Sequence, residues 1–330
     1  MNNFFKNRKI KTRNVLISLI VAAVLLIGFM IYQNLNQDKP VITPGGAVVV
    51  EPPEFLFHIY GDENNRISKP LDVDVDGDGK IYVTDYGNHE VKVFNKKGKF
   101  LFKFSKVGPE GALNSPVGIA VAKGKVYVAD TMKSQLYEFD DDGKFRRSLI
   151  TADIKRQIIG ATPCGVSLAQ NGDLYLTDIL NHRIIILDSE GRFKMKLGVA
   201  GEKEGELAYP NDLAADDKGK VFVSDSNNYR IQVFDEVYKT GKIFTKTPEG
   251  QQLFGSLTRG IAVDGKNQVW VVDALSHKVR VFDETGAQLF EFGQFGYGDG
   301  EFNFPNGIAV KGDRIYVTDR ENNRICVFGY

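Results

Sequence analysis

The chain has few residues of the kinds that cross-link or bind metal in small stable folds. Its 330 residues include only two cysteines, Cys164 and Cys326, and four histidines. Two cysteines so far apart in sequence give neither a disulfide framework nor a pair with zinc-ligand spacing. The fold must therefore depend on packing and hydrogen bonds.

Proline is also scarce, with 11 residues against 34 glycines, while Phe and Tyr number 23 and 13. Abundant glycine and aromatic residues favour short strands joined by tight turns. The net charge is zero, but the first 50 residues hold six Lys or Arg and one Asp, which leaves −5 for residues 51–330. Because phosphate backbones are bound by basic surfaces, this charge argues against a nucleic-acid partner.

One hydrophobic run, residues 15–32, is long enough to cross a membrane. Its eighteen residues carry no charge, and as a helix they would span about 27 Å, close to one hydrocarbon core. Five Lys or Arg residues precede the run, so the positive-inside rule predicts a cytoplasmic N-terminus and an extracytoplasmic remainder.

The first 54 residues are therefore predicted to attach the chain to the cytoplasmic membrane. We predict a basic cytoplasmic tail at residues 1–14, a single-pass signal-anchor helix at 15–32, and a flexible, proline-containing linker at 33–54. A cleaved signal peptide is the alternative, although such peptides have a shorter apolar run and a small-residue cleavage site.

From residue 55 onward one pattern recurs six times. Each copy has a short strand of small residues, a glycine turn, an apolar strand ending in Asp, and two further strands. Spacings of 45 to 48 residues separate the strand-ending aspartates, which are Asp85, Asp130, Asp178, Asp225, Asp273 and Asp319. Sheets with two apolar faces must stack on neighbours, so residues 55–330 are predicted to form an all-β, six-bladed β-propeller of four-stranded antiparallel blades.

The ends of the repeat region predict how the ring closes. The last copy stops at "ICVFGY", one strand short, and residues 55–61 ("FLFHIYG") resemble the fourth strand of the fifth copy, "LFEFGQFG". We therefore predict that residues 55–61 pair beside residues 325–328 as the outer strand of the sixth blade.

The repeated motif resembles the NHL repeat family. Its pattern is Pro-x-Gly-Ile-Ala-Val, a glycine turn, an aromatic strand ending in Asp, and then Asn-His/Asn-x-Arg-Ile-x-Val-Phe; "DILNHRIII", "DSNNYRIQVF" and "DRENNRICVF" match it best. Glu90 and Gln135 depart from it where the other four copies have Lys or Arg, and Thr258 replaces the first-strand Pro. The resemblance implies a six-bladed propeller that serves as a binding platform or, in some members, as an enzyme.

The stretch "DVDVDGDGKIYVTD" at residues 72–85 has the spacing of a calcium loop. In the predicted hairpin, however, Asp78 and Asp85 would lie roughly 23 Å apart along an extended strand, so a twelve-residue EF-hand loop is excluded. An acidic hairpin is the main interpretation, and a smaller calcium site at Asp74, Asp76 and Asp78 is the alternative. No other cofactor is expected.

The histidines and strand-end aspartates are interpreted as structural. His89, His182 and His277 occupy one repeat position in alternate blades, which lie about 20 Å apart, too far to share a metal ion. The six aspartates are expected to accept hydrogen bonds from turn N–H groups. The basic residues that follow them are expected to pair with aspartates or carbonyls of adjacent blades.

Positions that vary between copies are the better functional candidates, because the fold does not dictate them. The loops entering the first strand and the turns after the second lie at the same face of a propeller. We predict a ligand-binding rim on this face, formed by Tyr86, Asp72, Asn211, Asp212, Arg259, Asn306 and Arg320. Arg259 and Arg320 would anchor an anion or a carboxylate.

The leading functional hypothesis is a membrane-anchored, extracytoplasmic binding module for a protein, peptide or glycan. The alternative is a propeller enzyme, a metal-dependent lyase or lactonase, which would use a site in the central channel. Asp72 with Asp212 is the only hint of such a site, and we assign no catalytic residue.

Overall fold

The structure is a computed structural model, and it describes residues 51–235, 240–244, 253–254 and 257–330. The predicted basic tail and signal-anchor helix, and the linker up to residue 50, lie outside the described residues. Within those ranges, no helix combines the length and the apolar character needed to span a membrane.

Six four-stranded antiparallel sheets form the blades of the propeller, and in the first five the strands run from inner to outer in sequence order. Blade 1 consists of β2 Pro70–Val75, β3 Ile81–Asp85, β4 Glu90–Phe94 and β5 Phe100–Phe104. Blade 2 consists of β6 Pro116–Ala122, β7 Lys125–Asp130, β8 Gln135–Asp140 and β9 Phe145–Ser148. Blade 3 consists of β10 Pro163–Leu168, β11 Leu174–Asp178, β12 Arg183–Leu187 and β13 Phe193–Leu197.

Blade 4 consists of β16 Pro210–Ala215, β17 Val221–Asp225, β18 Arg230–Phe234 and β19 Thr240–Phe244. Blade 5 consists of β20 Thr258–Val263, β21 Val269–Asp273, β22 Lys278–Phe282 and β23 Gln288–Phe292. Blade 6 consists of β24 Pro305–Lys311, β25 Arg314–Asp319, β26 Arg324–Gly329 and β1 Glu54–Ile59. The six blades and their antiparallel order confirm the predicted fold.

The connections contain little other regular structure. They hold the α-helix α1 Ala152–Gln157, a short parallel pair of β14 Val199–Ala200 and β15 Glu206–Leu207, and 3-10 turns at Tyr86–Asn88, Gly108–Glu110, Ile179–Asn181 and Ser226–Asn228.

The core lies between blades rather than within one sheet. One cluster joins Tyr82 and Val93 of blade 1 to Val126 and Tyr137 of blade 2. All five residues of β3 are buried, because one face of this strand packs on the preceding blade and the other on the following blade. An isolated blade would leave both apolar faces in water, so the blades stabilise one another.

The predicted closing strand is present. β1 pairs antiparallel with β26, with Ile59 opposite Ile325, and Ile59 is 1% exposed. The strand begins at Glu54 and ends at Ile59, slightly earlier than the predicted residues 55–61. The first and last strands of the propeller thus share one sheet.

The strand-end aspartates accept hydrogen bonds from backbone N–H groups, as predicted, but the donors lie mainly in the loop that enters the blade rather than in the turn after the aspartate. The carboxylate of Asp85 accepts the Ser68 N–H at 2.8 Å, and that of Asp319 accepts the Asn303 N–H at 2.6 Å. Equivalent bonds reach Asp130, Asp178 and Asp225. Each aspartate therefore ties the turn at the top of its second strand to the loop beside it.

The basic residues after these aspartates pair only partly as predicted: Arg230, for example, donates to the Glu202 and Lys203 carbonyls in the loop from the preceding blade, but the aspartate partners differ. Arg183, Arg230 and Arg324 each donate to the aspartate of their own blade, not of an adjacent one, at 2.7 Å. The reason is register: Arg and Asp face each other across neighbouring strands. In blade 5, Lys278 pairs with Glu291 instead, since Arg280 reaches the aspartate.

Ring closure predicts a sharp contrast between two residues of β1. Ile59→Ala should lower the free energy of unfolding by about 2–5 kcal/mol, because it leaves a cavity between blades 6 and 1. Leu56→Ala, on the same strand but 44% exposed, should change it by about 0.5 kcal/mol or less. Denaturant titration of both variants measures the difference, and equal effects would contradict the packing of β1 as the closing strand.

Candidate functional site

The inner strands carry a bulge at the same place in all six blades. In each blade the pairing of the inner strand with the second strand shifts register between the first residue of the inner strand and the fourth, as at Pro70 and Val73. A bulge interrupts the normal alternation of side chains. Two successive residues of one strand therefore line the axis, as Asn211 and Asp212 do.

These positions form two rings around the mouth of the central channel. The outer ring, second in each inner strand, consists of Leu71, Val117, Cys164, Asn211, Arg259 and Asn306. The inner ring, one residue further along, consists of Asp72, Gly118, Gly165, Asp212, Gly260 and Gly307.

Four of the six inner-ring residues are glycine because adjacent inner strands nearly touch. A Cβ on Gly118 would lie 2.1 Å from the Cys164 carbonyl oxygen, and one on Gly260 would lie 2.6 Å from the Asn306 carbonyl oxygen. At Gly165 the obstacle is Asp212 itself, whose Oδ1 would be 2.3 Å away. The blades cannot approach this closely with any larger residue at these positions.

The other two inner-ring residues are the predicted rim aspartates, and they bind the neighbouring blade. Asp72 Oδ2 accepts the Ile119 N–H at 2.9 Å, and Asp212 Oδ2 accepts the Ile261 N–H at 3.1 Å. Asp72 and Asp212 stand on blades 1 and 4, which face each other across the axis of a six-bladed ring. Both line the narrow mouth and also the wider cavity below it.

The buried carboxyl groups in the channel hold their protons more tightly than usual. Burial, and then the charge of Asp212, raises the pKa of Asp72 well above its ordinary value. Burial raises the pKa of Asp212 to about 7 and that of Asp74 to about 6. Near neutral pH the channel can therefore exchange protons.

Below the mouth the inner strands surround a cavity of about 180 Å³. Most of the residues around it are aliphatic, such as Val121 and Ala262, but the surface that they expose to the cavity is mainly polar, and Asp74 adds a third carboxyl group. Asp74 Oδ2 accepts the Val121 N–H at 2.6 Å, so this aspartate also joins blade 1 to blade 2. Of the four histidines, none lines the mouth or this cavity.

The structure does not bring the three predicted calcium ligands together. Asp74 faces the channel, Asp78 is exposed, and Asp76 Oδ1 accepts the N–H groups of Asp78 and Lys80 within its own turn. The same turn contacts recur at Asp216 and Asp264. Over the ranges that the structure describes, no group of three or more His, Cys, Asp or Glu is placed to hold a metal ion.

The two predicted anion anchors lie side by side. Arg259 and Arg320 belong to adjacent blades, and burial, together with the positive charge of Arg320, lowers the pKa of Arg259. Among the described residues Arg259 has no hydrogen bond or ion pair, and the buried Arg320 Nε has no acceptor. Arg320 Nη1 is 3.5 Å from Glu321 Oε1, which is a long, exposed contact.

The remaining rim predictions divide into two kinds. The side-chain amides of Asn211 and Asn306 make no hydrogen bond within the described part of the chain, although the Asn211 carbonyl accepts from Thr177. Tyr86 stands further out, in a turn where its ring lies 6.5 Å from that of His89. The asparagines thus belong to the mouth, whereas Tyr86 belongs to the outer edge of the same face.

The histidines hold loops, as predicted, but the loops belong to the next blade. His182 Nδ1 accepts the Tyr209 N–H at 3.0 Å, and His277 Nδ1 accepts the Phe304 N–H at 3.2 Å. His58, on the closing strand, contacts Arg324 and Asp299.

Sequence reasoning missed a concentration of apolar side chains on the rim face. Of the thirteen large hydrophobic residues that are exposed in the described ranges, only Leu56 and Leu101 lie on outer strands. The other eleven lie in loops of the face that carries the mouth: Tyr60, Met132, Ile159, Leu180, Val199, Tyr209, Tyr229, Leu275, Phe295, Tyr297 and Phe304. A signal was available, because Met132, Leu180 and Leu275 occupy one repeat position in a polar turn.

Comparisons with known proteins support the repeat assignment. Residues 68–94, 207–234 and 302–328 match the NHL repeat. The chain is 35% identical over 94 residues to "Protein brain tumor" of Drosophila melanogaster, which covers 27% of this chain and 9% of that protein. It is 27% identical over 201 residues to "Probable peptidyl-alpha-hydroxyglycine alpha-amidating lyase pgal-1" of Caenorhabditis elegans, covering 54% of this chain and 52% of the relative.

Similarity to solved structures concerns the fold alone. An "auxiliary nutrient binding protein" of Bacteroides thetaiotaomicron superposes with a TM-score of 0.63 at 14% identity, covering 84% of this chain and 76% of that chain. The chain spans about half or less of the curated relatives it matches. These similarities are consistent both with binding proteins and with enzymes.

The channel aspartates predict an unusual pH dependence of stability. In the unfolded chain Asp212 loses its proton near its ordinary pKa of about 3.9, but in the folded chain it keeps the proton up to about 7. This group therefore favours folding below the unfolded pKa, and its contribution is lost as the pH rises toward 7. Between about pH 5 and about pH 8, the melting temperature of Asp212→Asn should therefore fall less than that of the wild type. The control Asp217→Asn, which changes an exposed aspartate, should show the same dependence of melting temperature on pH as the wild type. If Asp212→Asn also shows the wild-type dependence, the raised pKa of Asp212 is contradicted.

Because the inner ring is crowded, we predict that adding one methyl group at an inner-ring glycine destabilises the fold. Gly118→Ala should lower the free energy of unfolding by about 1–3 kcal/mol, because the new Cβ meets backbone. Gly77→Ala is the matched control, since a Cβ there has no neighbour within 4 Å. Thermal unfolding of both variants decides, and similar melting temperatures would show that the inner strands can move apart.

Proposed function

We propose that this chain is a membrane-anchored, extracytoplasmic propeller that binds a protein partner through the rim face. The observation that carries the proposal is the position of its exposed apolar side chains, eleven of thirteen on one face. Large exposed apolar patches on soluble domains mark interaction sites, because their burial against a partner is favourable.

Six of these eleven residues come from blades 2 to 4 and are here called the apolar arc: Met132, Ile159, Leu180, Val199, Tyr209 and Tyr229. Met132, Ile159 and Leu180 are 71%, 77% and 61% exposed, and they come from successive loops. Tyr209 follows, with its ring packed edge-on at 4.5 Å against His182. Long side chains held at the tops of rigid blades present a preorganised surface, which lowers the entropic cost of binding.

Blades 5 and 6 add positive charge to the same face, beside their own exposed apolar residues Leu275, Phe295, Tyr297 and Phe304. Arg259 and Arg320 have no full carboxylate partner among the described residues, so a partner could contribute an acidic group. Because these two arginines lie on only one part of the face, a partner with an acidic group would bind in one orientation. A peptide or glycan ligand would meet the same groups over a smaller area.

An enzyme of the lyase or lactonase type is the second candidate. Two facts favour it: the similarity to an amidating lyase, and the channel carboxyl group of Asp212, whose pKa of about 7 suits proton transfer. Asp212 and Asp72 would be the acid and base. The binding function has the broader support, because eleven of the thirteen large apolar side chains that are exposed in the described ranges lie on the rim face.

Crosslinking in intact membranes tests the binding function. Met132→Asp/Leu180→Asp should abolish most of the crosslinked species obtained with the wild type, because both charges would be buried in the interface. Leu56→Asp/Leu101→Asp is the matched control, with two residues of similar type and exposure away from the rim face.

The outcome is read by comparing the two double variants, each checked for an unchanged melting temperature. Loss of the same species in both variants, or in neither, would contradict the rim face as the binding surface. Arg259→Glu/Arg320→Glu should reduce the capture of an acidic partner as well, and more strongly at low salt.

A further inference from the structure

The mouth of the channel carries opposite charges in two successive layers. Arg259 belongs to the outer ring, and Asp72 and Asp212 belong to the inner ring. The rings are one residue apart along the inner strands, a rise of roughly 3.3 Å. Cys164, also in the outer ring, lies near both layers, since the charges of Asp212, Arg259 and Asp72 all act on its thiol.

The outer layer has hydrogen-bond donors that the protein does not use. Arg259 and the Nε of Arg320 find no acceptor in the described ranges, and the amides of Asn211 and Asn306 likewise make no internal bond. Two guanidinium groups repel each other unless an anion stands between them. A carboxylate suits this arrangement, because arginine forks bind its two oxygens in one plane.

The inner layer lacks a positive charge. Asp72 and Asp212 face each other across the narrowest part of the channel, and the charge of Asp212 makes the ionisation of Asp72 less favourable. The four inner-ring glycines leave the space between these carboxylates free of other side chains. A small cation with N–H donors, such as a primary ammonium group, would stabilise both carboxylates together.

We propose that the mouth binds a short zwitterionic amino acid, with its carboxylate against Arg259 and Arg320 and its ammonium group toward Asp72 and Asp212. The order of charges determines the orientation: the anion faces outward and the ammonium group inward. The narrow inner ring has room for a group about the size of one water molecule, which suits an ammonium group and excludes a bulky side chain next to it. The ligand needs no partner protein, so its binding can be measured without the apolar arc, although it uses the same two arginines that would face an acidic partner.

Isothermal titration of the whole protein in detergent, at about pH 8 and low ionic strength, tests the proposal, because Asp212, whose pKa is about 7, is then largely ionised. The probes are glycine, β-alanine, 4-aminobutyrate and 6-aminohexanoate, with butyrate and butylamine as half-ligands. At least one amino acid should bind roughly tenfold or more tightly than either half-ligand. Equal binding of amino acid and half-ligands, or no binding of any probe, would overturn the proposal.

Two variants locate the charges. Arg320→Gln should reduce the affinity for the tightest-binding amino acid to the affinity that the wild type has for butylamine. Asp212→Asn should reduce it to the wild-type affinity for butyrate. Arg146→Gln and Asp217→Asn remove exposed charges elsewhere on the propeller and should leave binding unchanged. If Asp212→Asn does not fold, the comparison of wild-type affinities for 4-aminobutyrate and butyrate still decides whether the ammonium group contributes.

The result is separable from the protein-binding function. A wild type that crosslinks to its partner but binds no amino acid would refute this site alone. A Met132→Asp/Leu180→Asp variant that keeps its amino-acid affinity while losing the partner would show two independent sites on one face.

Discussion

The structure depends on one backbone pairing, that of β1 with β26. Six sheets with apolar faces are stable only if each has a neighbour on both sides, and the ring closes only when the first and last strands share a blade. Ile59 and Ile325 meet in this pairing. Arg324, 2% exposed, reinforces it nearby, because its guanidinium group binds Asp319 and the Tyr297, Gly298 and Glu301 carbonyls.

Closure has a consequence at the centre. Drawing six blades around one axis brings the inner strands so close that Gly118, Gly165, Gly260 and Gly307 have no room for a Cβ. The bulge in every inner strand then turns two successive residues toward the axis. The two blades without glycine place Asp72 and Asp212 opposite each other, and burial raises the pKa of both. The raised pKa values of these two carboxyl groups are therefore a consequence of the same close approach of the blades that closes the ring.

The same architecture separates two kinds of surface. Tight polar turns close the hairpins at one face, whereas the longer loops that join blades lie at the other, together with the mouth and nearly all exposed apolar side chains. Histidines and strand-end aspartates hold these loops in place. Binding at such a face requires little reorganisation, which suits a recognition module, and the channel beneath it remains available for a smaller ligand.

The sequence by itself determined the blade count, the strand order, the closing strand and the role of the strand-end aspartates, because each follows from a pattern repeated along the chain. It also placed Asp72, Asp212, Arg259 and Arg320 on one face. Only the tertiary structure decided that Arg230 pairs within its own blade, that Asp74 leaves the calcium-like turn for the channel, and that the apolar loop residues share one face. These features are contacts between residues that are distant in sequence, and they exist only because the ring closes.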